Sequence, residues 1–140
     1  MTLGTMYIIV GNLDKSLEFY RLLLQEEPLY SNDYRWVQFS NKIALYNKAY
    51  DEKIIDNESG EMFNQAYIED FHKVKDILKN NLVVFNFVVE DLKGEYQRLK
   101  DLNIGDISEL MYVNIHMPYW YFNIVDPDGN VLEITGRYEP

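Results

Sequence analysis

The chain has 140 residues and no cysteine, and 23 acidic against 13 basic side chains give a net charge of −10. This length predicts one domain with a hydrophobic core, and the missing cysteine excludes disulfides, thiolate metal ligands and a cysteine nucleophile. The negative charge disfavours nucleic acid or an anionic membrane as partner and is compatible with a cationic small ligand. No segment reaches the roughly 20 apolar residues of a membrane span, and residues 1–20 lack a secretion signal, so we expect a cytoplasmic protein.

The first half of the chain predicts a strand, a helix and three short strands, in that order. The first strand is Met6–Val10, and Asn12 can cap the helix that follows. The apolar residues of that helix recur at spacings of three and four, and they are Leu13, Leu17, Tyr20 and Leu24. Turn residues at 31–33 and 40–42 then separate candidate strands at 28–30, 34–39 and 43–46.

The second half repeats this order of elements, so the chain contains an internal repeat. Residues 83–89 predict the strand, and Asp91 can cap the next helix. The apolar stripe of that helix is Leu92, Tyr96, Leu99 and Leu102. Candidate strands follow at 107–114, 119–125 and 131–135. The pattern predicts an α+β protein of two βαβββ modules, at about 1–47 and 82–140, within a single domain 1–140.

The connector between the modules, about 48–81, is long for an unstructured connection, so part of it should fold. Its apolar residues at helical spacing are Phe71, Val74, Ile77 and Leu78. They predict a connector helix over 68–79 with a polar outer face.

Residues 126–130, Asp-Pro-Asp-Gly-Asn, predict a tight hairpin between the last two strands. Pro127 presets the φ angle of the second turn residue, and Gly129 supplies a positive φ. Glu133 follows in mid-strand among apolar neighbours. Such a carboxylate either lies on a solvent-exposed face of the sheet or points into a cavity where its charge has a function.

The two βαβββ modules, the helix entry at 12–20 and the hairpin ahead of Leu132-Glu133-Ile134 together resemble the vicinal-oxygen-chelate superfamily. That superfamily includes glyoxalase I, bleomycin-resistance proteins, fosfomycin-resistance transferases and extradiol dioxygenases. The resemblance implies open, curled mixed sheets that form a pair of half-barrels around a pocket, the glyoxalase/bleomycin-resistance fold. It also implies a small-molecule ligand and a homodimer, because half-barrels expose edges and apolar faces that dimerisation covers.

The metalloenzymes of this superfamily hold their ion at positions that correspond here to Thr5, Ala44, Val84 and Glu133. Only Glu133 has a side chain of the expected ligand type. One carboxylate cannot hold a divalent ion that needs three or four protein donors. The resemblance therefore predicts no metal site and no cofactor in this chain.

Candidate ligand-binding residues follow from strand alternation, extended in steps of two from those positions, and from the two tryptophans as stacking surfaces. They are Tyr7, Trp36, Tyr46, Asn86, Trp120, Tyr121, Asn123 and Glu133. For the aromatic residues the alternative is ordinary core packing. For Glu133 it is a structural carboxylate held by hydrogen bonds.

Two functions remain open at this point. The first is a metal-independent binding protein, similar to the bleomycin-resistance branch, that sequesters a cationic or aromatic compound; three lost ligand positions, the acidic balance and 12 tyrosines favour it. The second is a glyoxalase- or dioxygenase-like lyase or oxidoreductase. It would use either an atypical divalent metal site or Glu133 as a metal-free catalytic base. A third reading is a dimerisation scaffold whose pocket has degenerated.

Overall fold

The computed structural model describes residues 4, 6–40, 43–57, 62–63, 65–73, 84–114 and 117–139. The chain divides into two compact units, Met1–Leu78 and Lys79–Pro140. Each unit contains one βαβββ module with a four-stranded mixed sheet, which confirms the predicted fold class. No helix among the described residues is long and apolar enough to cross a membrane.

The first unit builds one sheet in the order β1-β4-β3-β2, in which β1 and β4 are parallel and the other pairs antiparallel. Its elements are β1 (Met6–Val10), α1 (Leu13–Leu24), β2 (Tyr30–Asn32), β3 (Trp36–Gln38) and β4 (Ile43–Asn47). The turn predicted at 31–33 lies further along the chain. Asp33 and Tyr34 adopt positive φ angles of 46° and 62°, so the chain reverses there and β2 continues through Asn32.

Helix α1 begins as predicted, because the Asn12 side chain accepts a hydrogen bond from the Lys15 N–H at 3.1 Å. Its buried stripe differs from the prediction and consists of Leu13, Ser16, Phe19, Tyr20 and Leu23. Leu17 and Leu24 are only half-buried. Burying the two large rings of Phe19 and Tyr20 removes more apolar surface from water than burying Leu17 would.

Two connector helices, α2 (Lys48–Asp56) and α3 (Gln65–Lys73), also belong to the first unit. Helix α2 was not predicted, because its one buried residue is the acid Asp51 and it shows no apolar stripe. Helix α3 starts three residues before the predicted range 68–79. The end of that range lies outside the described residues.

The second unit repeats the arrangement with the sheet order β5-β8-β7-β6, in which β5 and β8 are parallel. Its elements are β5 (Phe85–Val89), α4 (Leu92–Leu102), β6 (Met111–Asn114), β7 (Pro118–Val125) and β8 (Val131–Gly136). Asp91 caps α4 by accepting the Gly94 N–H at 3.0 Å. Of the predicted strand 107–114, only the end forms β6, and Ile107 makes a single bridge to Ile124. Leu102, predicted for the buried stripe, is exposed.

The hairpin at 126–130 is confirmed and is built around Asp126, which is 4% exposed. Asp126 Oδ1 accepts the N–H groups of Asp128 and Asn130 at 2.9 and 2.8 Å, and Gly129 has a φ of 84°. These bonds hold the turn that sets the register of β7 against β8. Asn123 lies opposite Glu133 as a result.

In each unit, one sheet face packs against its helix and the other does not. Helix α1 contacts β4, and α4 contacts β7 and β8. On the helix side of each sheet, the buried apolar strand residues are Ile8, Val10, Val37, Ile43 and Leu45 in the first unit and Phe122, Ile124, Leu132 and Ile134 in the second. Ala44 and Tyr46 are buried on the other side of the first sheet. Because strand side chains alternate, the residues between them lie on the opposite faces, and most of the predicted candidates are among these.

Candidate functional site

A row of three polar side chains crosses the sheet of the second unit on the face away from α4. Asn86 on β5, Glu133 on β8 and Asn123 on β7 lie opposite one another in register. The neighbours of Glu133 on β8, Leu132 and Ile134, point into the core. We call Asn86, Glu133 and Asn123 the polar row.

Less polar rows border the polar row on both sides. Towards the hairpin lie Val125 and Val131, which are register partners. On the other side lie Val88, Thr135 and Tyr121. Val88 is 78% exposed, and the Thr135 hydroxyl donates to the Trp120 carbonyl at 2.8 Å. Apolar walls around a few convergent polar groups are typical of small-molecule sites.

Glu133 is held by a closed ring of three hydrogen bonds. Its Oε1 accepts Asn86 Nδ2 at 2.6 Å and the Tyr119 hydroxyl at 2.8 Å. Asn86 Nδ2 also donates to the Tyr119 oxygen at 3.0 Å. Because a carboxylate oxygen only accepts, the amide nitrogen of Asn86 must face Glu133. The three side chains therefore fix one another.

The second carboxylate oxygen of Glu133 stays open. Both hydrogen bonds go to Oε1, and Oε2 has no hydrogen-bond partner among the described residues. Within the same residues, no buried side-chain nitrogen or oxygen lacks a partner, so Oε2 must be accessible to solvent. Glu133 also forms no ion pair with any cation in the described part of the chain. Its charge is therefore available to a ligand.

The structure brings four predicted candidates onto this face: Asn86, Tyr121, Asn123 and Glu133. Sequence reasoning missed Tyr119, although it lies two residues before Tyr121 and so has the same parity on β7. The rings of Tyr119 and Tyr121 lie 5.6 Å apart. Trp120 lies on the opposite face instead, because alternation groups it with the core residues of β7. Its ring packs between Tyr112 and Tyr138, at centroid distances of 4.6 and 4.4 Å.

The remaining three candidates meet in the first unit. The ring of Tyr7 lies 5.2 Å from Trp36 and 6.1 Å from Tyr46, edge to face with the latter. Tyr7 is 54% exposed, whereas Tyr46 is buried. The three rings form an aromatic cluster on the sheet face that carries Ala44.

Beneath these rings lies a buried ion pair that sequence reasoning missed. Asp51 on α2 is fully buried and accepts Arg35 Nε at 2.6 Å and Nη2 at 2.8 Å. Its Oδ2 also accepts the hydroxyls of Tyr46, at 2.7 Å, and of Tyr67 on α3, at 2.6 Å. We call Arg35, Tyr46, Asp51 and Tyr67 the Asp51 cluster. It joins both connector helices to the sheet of the first unit.

The Asp51 cluster shifts the titration of its members. Burial alone would raise the pKa of Asp51, but hydrogen bonds from Arg35, Tyr67 and Tyr46 outweigh it and hold the pKa below its ordinary value of 3.8. Burial and the hydrogen bond to Asp51 raise the pKa of Tyr46 and of Tyr67 above the ordinary 10.0. Both phenols therefore stay protonated at neutral pH. All four groups are engaged with one another, which indicates a structural role for the cluster.

Solved structures resemble this chain over nearly its whole length. A glyoxalase-related enzyme from Fulvimarina pelagi is 14% identical with a TM-score of 0.62, and the match covers 97% of this chain and 88% of the other. Lactoylglutathione lyase from Agrobacterium tumefaciens is 15% identical with a TM-score of 0.59 (96% and 92% covered). This chain has the vicinal-oxygen-chelate fold.

The fosfomycin resistance protein FosX from Mesorhizobium loti shares the vicinal-oxygen-chelate fold with 11% identity and a TM-score of 0.59, over 98% of this chain and 92% of its own. No protein-family model and no curated protein matches the sequence. Identities this low establish the fold alone. Because one fold can host several unrelated chemistries, the residues of the site decide the function.

The residues at the ligand positions of the vicinal-oxygen-chelate fold do not fit a metal ion. Ala44 and Val84 carry hydrocarbon side chains with no lone pair, and Ala44 is fully buried. Glu133 has one oxygen committed to Asn86 and Tyr119, and Thr5 lies outside the described residues. Among the residues that the structure describes, no group of three or more histidine, aspartate and glutamate side chains converges.

A cavity of about 380 Å³ lies elsewhere in the second unit, at the start of α4. Its lining residues are Glu90, Asp91, Lys93, Arg137 and Glu139. None of them belongs to the polar row. Asp91 already caps α4, and Arg137 forms an ion pair with Glu139. Some of the charged lining residues therefore already have partners within the protein. The polar row, with its open carboxylate oxygen, is the better candidate site.

Proposed function

We propose that this protein binds a small cationic organic molecule at the polar row, without a resident metal ion. The observation that carries the proposal is the open Oε2 of Glu133, a charged acceptor with no ion-pair partner in the described part of the chain. The net charge of −10 supports it, because an acidic protein concentrates cations near its surface. The hydrocarbon side chains at two of the fold's ligand positions support the metal-independent mode.

The site is organised before the ligand arrives. Hydrogen bonds from Asn86 and Tyr119 hold Glu133 in one geometry, so little side-chain entropy is lost on binding. Val88 and the ring of Tyr121 offer apolar contact beside the carboxylate. A cation that reaches Oε2 gains a charge-assisted hydrogen bond, which contributes about 1.5–3 kcal/mol.

The same open oxygen supports a second candidate, a glyoxalase- or dioxygenase-like enzyme in which Glu133 takes a proton from the bound molecule. We rank it second because the protons of Tyr119 and of the Asn86 amide are already donated within the ring. Turnover of a bound compound would favour it. The expected homodimer and cytoplasmic location stay predictions.

Glu133→Gln should weaken binding of a cation while sparing its neutral counterpart. Benzamidine is a planar cation at neutral pH, and benzamide is its neutral near-isostere. We expect the variant to raise the Kd of benzamidine about tenfold or more, because a charge-assisted hydrogen bond is lost, and to leave benzamide within about twofold. Titrations of ¹⁵N-labelled protein, followed by NMR, measure both constants and show whether residues 84–88 and 131–135 respond.

Asp101→Asn is the matched control, because it removes one negative charge from an exposed residue of α4, which packs on the opposite face of the same sheet. It should change neither constant by more than about twofold, since Asp101 lies across the sheet from the polar row and exposed charges about 10 Å or more apart are largely screened at physiological salt. An equal loss for benzamidine and benzamide in Glu133→Gln would refute charge recognition. If no amine or amidine of a broader aromatic panel gave a saturable shift at the polar row, the binding proposal itself would be wrong.

A further inference from the structure

The ring around Glu133 engages its donor groups internally. Asn86 Nδ2 donates to Glu133 Oε1 at 2.6 Å and to the Tyr119 oxygen at 3.0 Å. The single hydroxyl proton of Tyr119 goes to the same Oε1. Both donor groups of the ring are thus engaged within it.

Two groups of the ring remain unused, and both are acceptors. One is Glu133 Oε2, and the other is Asn86 Oδ1, which has no hydrogen-bond partner among the described residues. Asn86 is exposed, so Oδ1 is open to solvent. The two residues are register partners on neighbouring strands, which lie about 4.8 Å apart. Because Asn86 turns its amide nitrogen towards Glu133, Oδ1 lies on the far side of the amide, and each acceptor can take an N–H separately.

We infer that the site selects cations that carry N–H donors, such as primary ammonium and amidinium groups, over quaternary ammonium ions of equal charge. This inference rests on the proposed function and narrows its ligand class. A primary ammonium or an amidinium can donate an N–H to Oε2. A quaternary ion has no N–H, and by covering this oxygen it removes its hydration without replacing it.

The third member of the polar row does not change this preference. The Asn123 amide, the register partner of Glu133, has donors that neither cation can use and an oxygen that only a cation with an N–H can use. Val88 and Tyr121 offer the same apolar contact to both kinds of cation. Selection between them therefore depends on the two open acceptors.

The test compares benzylammonium with benzyltrimethylammonium, which share the ring and the charge and differ in N–H donors. We expect benzylammonium to bind the wild-type protein about tenfold tighter in NMR titrations at neutral pH, since one charge-assisted hydrogen bond is worth about that factor. Shifts should fall on residues 84–88 and 131–135. Equal affinity, or a preference for the quaternary ion, would overturn the inference.

The Glu133→Gln variant distinguishes a preference that arises from charge-assisted hydrogen bonding from one that arises from the size of the ligand. Glutamine has nearly the volume of glutamate, and its Oε1 can still accept from Asn86 and Tyr119. If the preference arises from charge-assisted donation, the affinity ratio should fall towards one in this variant and persist in Asp101→Asn. A ratio unchanged in Glu133→Gln would mean that the bulk of the methyl groups sets the preference and would overturn the inference.

The inference and the proposed function can fail separately. Equal binding of the two benzyl cations at the polar row would leave cation binding intact and remove only the donor preference. If neither cation nor benzamidine gave a saturable shift there, both would be wrong. Benzyl alcohol is a neutral probe with the same benzene ring. Used at the same concentrations, it measures any binding of the probe that does not depend on charge.

Discussion

Asp51→Asn is expected to lower the free energy of unfolding by about 3 kcal/mol, the low end of the range for breaking a buried ion pair. Asp51 is fully buried and accepts four hydrogen bonds, two from Arg35 and one each from Tyr46 and Tyr67. An asparagine there loses the charge and one acceptor. The low end applies because the Arg35 side chain is 35% exposed, so water screens its unpaired charge.

Urea unfolding at neutral pH measures this loss. Glu52→Gln is the matched control, because it removes one negative charge from the exposed neighbour on the same helix. It should change the free energy of unfolding by less than about 0.5 kcal/mol, as is usual for surface substitutions. If the two variants were equally stable, the Asp51 cluster would not hold the connector helices to the sheet.

The Asp51 cluster also makes the free energy of unfolding depend on pH, and the pKa shifts of its members set the direction of that dependence. The depressed pKa of Asp51 means that its contribution is fully present above the unfolded value of 3.8 and is lost as pH falls through the folded pKa. The stability gap between wild type and Asp51→Asn should therefore narrow in acid below pH 3.8. The raised pKa values of Tyr46 and Tyr67 have the opposite effect on stability. Their contribution to the free energy of unfolding is present below pH 10.0 and is lost as pH rises through their folded pKa values.

Gly136→Ala is expected to lower the free energy of unfolding by about 3 kcal/mol, the upper end of the usual range for overpacking. A Cβ on Gly136 would lie 2.2 Å from the Val89 carbonyl oxygen and 3.0 Å from the Val89 carbonyl carbon. These are backbone atoms of the partner strand β5 and cannot turn aside as a flexible side chain could. Relief requires β5 and β8 to move apart.

Gly4→Ala is the matched control, because a Cβ there would meet nothing within 4 Å. Only the substitution at Gly136 should also disturb the site, since β5 carries Asn86 and β8 carries Glu133. We expect weaker benzamidine binding and shifted Asn86 side-chain resonances in Gly136→Ala, measured by NMR with urea unfolding for stability. Equal stability of the two alanine variants would contradict the close approach of the strands.

Local chemistry explains the predictions that succeeded. The Asp-Pro-Asp-Gly-Asn hairpin and the caps at Asn12 and Asp91 involve residues at most four apart, so the sequence alone predicts them. Strand alternation correctly placed Asn86 and Glu133 on one side of their strands. It applied equally to Tyr119, which was overlooked, and to Trp120, which lies on the other face.

Sequence reasoning could not find the Asp51 cluster, because its members come from four separate elements or their ends and one is a buried acid in a polar helix. Apolar periodicity identifies helices that bury hydrocarbon, whereas α2 buries a carboxylate. The cost of burying that charge is offset by Arg35 and two phenols, which only the folded chain brings together.

The sequence by itself determined the two βαβββ modules, the hairpin and the selection of Glu133 as the main candidate site residue, because these depend on periodicity and on contacts between near neighbours. The tertiary structure decided what Glu133 can do. Asn86 lies 47 residues away and reaches it only through the parallel pairing of β5 with β8. There Asn86 and Tyr119 both donate to Oε1 and leave Oε2 open.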